Sequence, residues 1–240
     1  DTDRGVFTPQ QVQAHIRDTG PHSAQSRLVS LENTSNAGNG RVWPLDAIEA
    51  VADLAHERGL KTHMDGARLM NAVVASGIPA KTIAAKMDTA WIDLSKGLGA
   101  PVGGVLAGSY VDMELARRYK HLYGGAMRQA GIIAAAGVYA FRHNVDRLAE
   151  DHANAKHLAL GLADIPGVTL NPDHIETNIV RFDVSESGRT GGEINAALTE
   201  RGVRMGGGYG PGMRAVAHLD ITRDDMDRAV EAMRGVMMSG

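Results

Sequence analysis

The sequence predicts an α/β fold: a mostly parallel sheet with helical crossovers, followed by a smaller α+β domain. Between Leu60 and Ser109, short apolar runs alternate with helical patterns at the spacing of right-handed βαβ units. Two of those runs close on Asp65 and Lys96, and ligands of parallel sheets gather at the carboxyl ends of the strands. From Gly167 the texture changes to short strands, two helices and glycine-rich turns. The expected division is a large domain over 1–164 and a small α+β domain over 165–240.

Each element has its own warrant. Thr8-Pro9 is a good cap and first-turn pair for a short helix over Gln10–Asp18. Arg27–Leu31 is an apolar run leading to Glu32-Asn33-Thr34 and the polar, glycine-rich SNAGNGR. Pro44–Arg58 carries apolar residues at helical spacing and stops at Gly59. Leu60–Met64 reads as the next strand, Ala67–Ser76 and Pro79–Met87 as helical, and Thr89–Leu94 as another strand. Val102–Ala107 is a third apolar run, followed by a helix over Asp112–Lys120 and a turn at 123–126. Met127–Ile165 is predominantly helical with a break near Asn144. Beyond it come the strands VTL and NIVRFDV, a helix over Gly192–Glu200, a strand pair within Val203–Leu219, and a last helix over Arg223–Met237.

Composition narrows the function classes. A net charge of −3 arises from 25 basic and 28 acidic residues that are interspersed, so no block is expected to track nucleic acid. The longest apolar run, Gly131–Phe141, is well short of the roughly 20 residues of a membrane span, so no membrane partner is expected. Zero cysteines exclude disulfides and thiolate metal sites, and the start shows no leader pattern; a cytoplasmic protein is the expectation. The opening residues Asp1-Thr2-Asp3, without a methionine, suggest a fragment or a processed piece.

The chemistry concentrates in three side chains. Lys96 follows Ser95 and precedes Gly97-Leu98-Gly99, a tight turn that aims an amine at a cleft; a lysine whose pKa is lowered by burial becomes a nucleophile towards aldehydes. The competing reading is a solvated lysine beside a turn. A carboxylate at Asp65 suits a protonated pyridine nitrogen, as in pyridoxal phosphate, or else caps a helix beginning at Gly66. Arg68, three residues on, has the planar fork that grips a carboxylate, or is an exposed helical arginine. His152 and His157 are five apart, on different faces of a helix, which argues against a metal pair; no metal is expected. His63 and His218 lie on alternating runs and read as core histidines.

The segments SLENT at 30–34, HMDGARLMNAV at 63–73, LSKGLGAPVGGVLAG at 94–108 and GGAMRQAGIIAAAG at 124–137 carry a resemblance. Together they resemble the threonine aldolases of the pyridoxal-phosphate-dependent, aspartate-aminotransferase-like superfamily. The resemblance implies the fold type I sheet and aldol cleavage of threonine or allo-threonine to glycine and an aldehyde. It implies that Lys96 is the Schiff-base lysine, that Asp65 pairs with the pyridine nitrogen, and that Ser95 and Arg128 belong to the cofactor-binding set. Arg68 and Arg214, the latter in GMRAVAHLD, are the implied substrate-carboxylate ligands. Arg128 resembles a position that reaches a neighbouring subunit, so a homodimer or a tetramer of dimers is implied. His121 stands where the family often has a lysine and is taken as substrate-binding. The family's phosphate-binding glycine–threonine turn and ring-stacking histidine have no match in this sequence. Another reaction on the same fold, β-elimination or transamination, and a non-catalytic relative remain open.

Overall fold

The computed structural model describes residues 2–17 and 20–239. Asp18, the expected end of the first helix, and Asp1 and Gly240, the outer limits of the expected domains, lie outside the described residues. The chain divides into two compact units, Asp1–Gly38 with Val42–Asp146, and Asn39–Arg41 with Arg147–Gly240.

The first unit is built on a four-stranded sheet ordered β1 (Leu28–Glu32), β2 (Lys61–Gly66), β3 (Thr89–Asp93), β4 (Gly104–Gly108). The first two pairings are parallel, as expected for βαβ units. β4 runs antiparallel to β3 because only residues 94–103 connect them, whereas a parallel return needs a crossover of a dozen residues or more. The β1–β2 crossover is α2 (Leu45–Glu57), which buries Ile48, Val51, Ala52 and Ala55 at i, i+3, i+4 and i+7. Met64 and Thr62 of β2 are buried as well, so this face of the sheet holds the unit's core.

Shorter helices complete the unit. α1 (Pro9–His15) starts in a capping box, with the Thr8 hydroxyl accepting the Gln11 N–H and the Gln11 side chain accepting the Thr8 N–H. α3 (Leu69–Ser76) and α4 (Ala80–Ile83) carry the chain from β2 to β3. The helix expected over 79–87 stops at Ile83, and the chain continues in turns such as Met87 N–H to Ala84 O, 3.0 Å. α5 (Tyr110–Leu122) buries no residue, and α6 (Gly131–His143) buries Gly137 and Ala140. The helical start expected at Met127 is instead a turn, with Gln129 in the left-handed region at φ 55°. Among the described residues no helix is long and apolar enough to cross a membrane.

The second unit comprises α7 (Leu148–Ala163), β5 (Ile179–Asp183), α8 (Gly191–Glu200), β6 (Gly206–Gly207), β7 (Gly212–Val216) and α9 (Arg223–Met238). Its antiparallel sheet has the order β5-β7-β6. Of the expected VTL strand only one bridge forms, Thr169 to Asp183. Leu158 and Leu162 of α7, Ile194 and Leu198 of α8, and Met233 of α9 share one core with Phe182 and Met213 of the sheet. That core explains why the units part at Asp146 and Arg147 rather than at residue 164: a cut at 164 strips α7 from the residues it is buried among. The loop 39–41 joins this unit through the Asn39 side-chain oxygen, which accepts the Arg181 N–H at 2.6 Å.

Candidate functional site

The carboxyl end of β2 sets Asp65 in a row that crosses the sheet. Glu32, Asp65, Trp91 and Leu106 are successive register partners across the sheet. The two-residue period of a strand then puts Asp65, Trp91 and Asp93 on the same face. Gly66 follows Asp65 because a Cβ there would run into the Trp91 carbonyl oxygen. The chain bends at once, and Asp65 Oδ1 accepts the Ala67 N–H at 3.0 Å. Asp65 thus closes a local turn, while α3 itself begins at Leu69 with Arg68 as its cap residue. Among the described residues, Oδ2 of the half-buried Asp65 takes no hydrogen bond.

Lys96 stands in a braced turn just past β3. The Leu94 N–H reaches the Gly103 carbonyl at 3.0 Å, the Ala100 N–H reaches the Leu94 carbonyl at 2.8 Å, and the Gly99 N–H reaches the Lys96 carbonyl at 2.9 Å. Gly99 adopts φ 70°, a conformation that a side chain disfavours, which fixes the glycine two residues past Leu94-Ser95-Lys96-Gly97. Leu94, Gly97, Leu98 and Ala100 face inward, and Ser95 and Lys96 face out. The Lys96 ammonium donates to Asp93 Oδ2 at 2.6 Å and sits 5.5 Å from the centroid of the Trp91 ring. The Ser95 N–H and hydroxyl both reach Asp93 Oδ1 at 2.7 Å. Burial pushes the Asp93 carboxyl up, but the Lys96 and Ser95 hydrogen bonds outweigh it and hold the group below its ordinary value.

Arg68 lines a small crevice together with Asp93, Gly97 and Leu98, so the structure brings it beside the lysine turn. Arg128 and His121 are exposed on the stretch from the end of α5 to α6. Among the described residues neither makes a hydrogen bond or ion pair to the lysine turn. Arg214 belongs to the second unit, on β7 between Arg181 and Gly206. There it lines a cavity of about 620 Å³ with Arg201, Arg204 and His218, and with Arg228 paired to Asp225, over the apolar Met205, Met226 and Ala229. His63 is half-buried and hydrogen-bonded to Thr89 at 2.8 Å, whereas His218, expected in the core, is exposed next to Asp220.

Two residues of the row, Asp93 and Trp91, were not among those the sequence singled out. Both lie within β3, where apolar alternation hides them, although an acid three residues before a strand-end lysine is the spacing that closes this turn.

Residues 1–185 match the family described as beta-eliminating lyase. The low-specificity L-threonine aldolase 1 of Arabidopsis thaliana is 35% identical over 238 residues, covering 98% of this chain and 66% of that protein. The low specificity L-threonine aldolase of Escherichia coli is 39% identical over 226 residues, covering 92% of this chain and 64% of that protein. The chain therefore spans slightly less than two thirds of the length of each of these relatives. Among solved structures, the Leishmania major threonine aldolase superposes with a TM-score of 0.77 at 17% identity, over 98% of this chain and 69% of that one.

Proposed function

The chain belongs to the beta-eliminating lyase family, and from that premise we propose that it is a pyridoxal-phosphate-dependent lyase cleaving β-hydroxy-α-amino acids, threonine and allo-threonine included, to glycine and an aldehyde. One observation carries the reading: Asp65 lies at the end of β2, and Lys96, its side chain partly exposed, stands three residues past the neighbouring parallel strand β3. The names of the Arabidopsis and Escherichia coli relatives support the same choice of reaction.

The residues present suit the cofactor's two reactive ends. A primary amine in a braced turn meets the need of an aldehyde, and a carboxylate with one uncommitted oxygen meets that of a pyridinium proton. Pyridoxal phosphate, when bound, supplies an electron sink for the electron pair left at Cα. Lys96 would supply the nucleophilic nitrogen once its ammonium has given up a proton, and Asp93 holds that ammonium at 2.6 Å beforehand. Ser95 keeps Asp93 aimed through two 2.7 Å hydrogen bonds. Asp65 Oδ2 would accept a hydrogen bond from the pyridinium N–H and keep that nitrogen protonated, which a neutral side chain does less well. Arg68 would grip the substrate carboxylate with its planar fork. Fixing the carboxylate orients the Cα–Cβ bond, which is catalysis by positioning.

Self-association belongs to the same proposal, as a homodimer or a tetramer of dimers. Tyr110, Val111, Leu122 and Tyr123 of the α5 region and Ile132 and Tyr139 of α6 are all more than 60% exposed, an apolar load that favours a second copy. Arg128 and His121 lie within that stretch, which suits a cofactor-phosphate and a substrate contact made to a neighbouring protomer. A cytoplasmic setting accords with a chain of 240 residues carrying zero cysteines.

The family description itself favours one rival, β-elimination, since Lys96 and Asp65 serve both reactions. Incubation with pyridoxal phosphate and threonine separates them. Glycine and acetaldehyde support aldol cleavage, ammonia and an oxo acid support elimination, and no turnover together with no cofactor uptake overturns both.

A further inference from the structure

We infer that Asn144 is a positioning residue for Lys96, the polar anchor of a helical platform beneath the lysine turn. The inference rests on the reading of Lys96 given above as the reacting amine. Its observations are separate from those that carry that reading. Asn144, half-buried at the end of α6, donates its side-chain amide to the Leu98 carbonyl at 2.7 Å across 46 residues of sequence. Leu98 is buried, two residues past Lys96.

The contact does not stand alone. Gly137, Ala140 and Asn144 fall at i, i+3 and i+7, one stripe of α6, and Gly137 and Ala140 are the two residues that the helix buries. A Cβ at Gly137 would lie 2.8 Å from Leu94 Cδ1, so the helix approaches the near side of the turn through a glycine and holds its far side through Asn144. Between these contacts lie Ser95 and Lys96, which face outward. A turn held on both flanks keeps its lysine within the few tenths of an ångström that a reactive geometry requires. The Asn144 backbone N–H simultaneously closes α6 on the Ala140 carbonyl at 2.8 Å, so its side chain is free to serve a second element.

The test is amide hydrogen exchange on the cofactor-free protein, comparing wild type with Asn144→Asp, which keeps the shape but loses the donor, and Asn144→Gln, which keeps a donor. A second variant, Gly137→Ala, crowds Leu94 without touching Asn144. In Asn144→Asp, the Gly99 and Ala100 amides are expected to exchange about fivefold faster or more, the loss of one hydrogen bond, while amides 134–143 hold their protection. Asn144→Gln is expected to recover part of the protection, and Gly137→Ala to raise exchange in the same turn. Under borohydride trapping, Asn144→Asp should also need more pyridoxal phosphate for half-maximal attachment at Lys96, with full attachment still reached at saturation. Unchanged exchange at Gly99 and Ala100 in both variants would overturn the inference, as would a uniform rise along α6 that marks Asn144 as a helix cap only. Exchange reads the turn itself, so a failure of Lys96 to take up the cofactor is a distinct result.

Discussion

Two aspartates bracket β3, and they are held in different ways. Asp88, at the amino end, gathers donors from two other elements: His56 Nε2 of α2 at 3.0 Å, and Lys61 Nζ at 2.6 Å and the Thr62 N–H at 2.8 Å of β2. Asp93, at the carboxyl end, is held by its neighbour Ser95 and by one lysine three residues on. The first arrangement ties α2, β2 and β3 together and leaves the carboxylate no spare capacity. The second is confined to one turn, and its lysine side chain remains 36% exposed. A carboxylate bonded across elements stabilises the fold, whereas one bonded within a turn presents a group for chemistry.

Substitutions separate the two ends, and the largest effect falls on the chemical one. Lys96→Ala is expected to abolish attachment of pyridoxal phosphate while shifting the denaturation midpoint little, because the lost ion pair is worth only about 0–1 kcal/mol. Asp88→Asn should reverse the pattern, lowering the unfolding free energy by about 2–3 kcal/mol in urea titration and leaving attachment at Lys96 intact. Its pH dependence has a definite sign. Burial pushes the Asp88 carboxyl up, yet the hydrogen bonds from Lys61, Thr62 and His56 hold it well below its ordinary 3.8. The folded value lies below the unfolded one, so this stability is fully present above about pH 4 and is lost as the pH falls further. Acid unfolding of Asp88→Asn should accordingly be shallower than that of the wild type below pH 4.

Smaller effects test the finer division of labour. Asp65→Asn retains an oxygen for the Ala67 N–H, so thermal stability should hold while affinity for pyridoxal phosphate falls roughly 10- to 100-fold, the loss of one charged hydrogen bond. Asp93→Asn keeps the Ser95 contacts and loses only the acceptor for Lys96. A stability change within about 1 kcal/mol is expected by calorimetry. A drop several times larger would mean that Asp93 belongs with Asp88 among the structural ties.

Much of this was legible in the residues because periodicity and strand-end position are local signals. Alternating runs located β2 and β3, and the placing of Asp65 and Lys96 at their ends followed from parallel topology alone. What escaped depends on partners remote in sequence. β4 gave no sign of its direction until the ten residues at 94–103 were seen to form a braced turn rather than a crossover. Asn144 was readable as a helix break, but its bond to Leu98, 46 residues away, was not. α7 was assigned with α6 to the large domain, yet its buried leucines share their core with α8 and α9. Asp93 was hidden by its strand, since one acid at the end of an apolar run looks the same whether it meets solvent or a lysine.

The most direct measurement is borohydride reduction of the protein after incubation with pyridoxal phosphate, followed by peptide mass mapping. Lys96 as the covalent anchor requires one stoichiometric label on the peptide that contains Leu94-Ser95-Lys96-Gly97, and none in Lys96→Ala. A label distributed over the surface lysines, or retained when Lys96 is replaced, would contradict it.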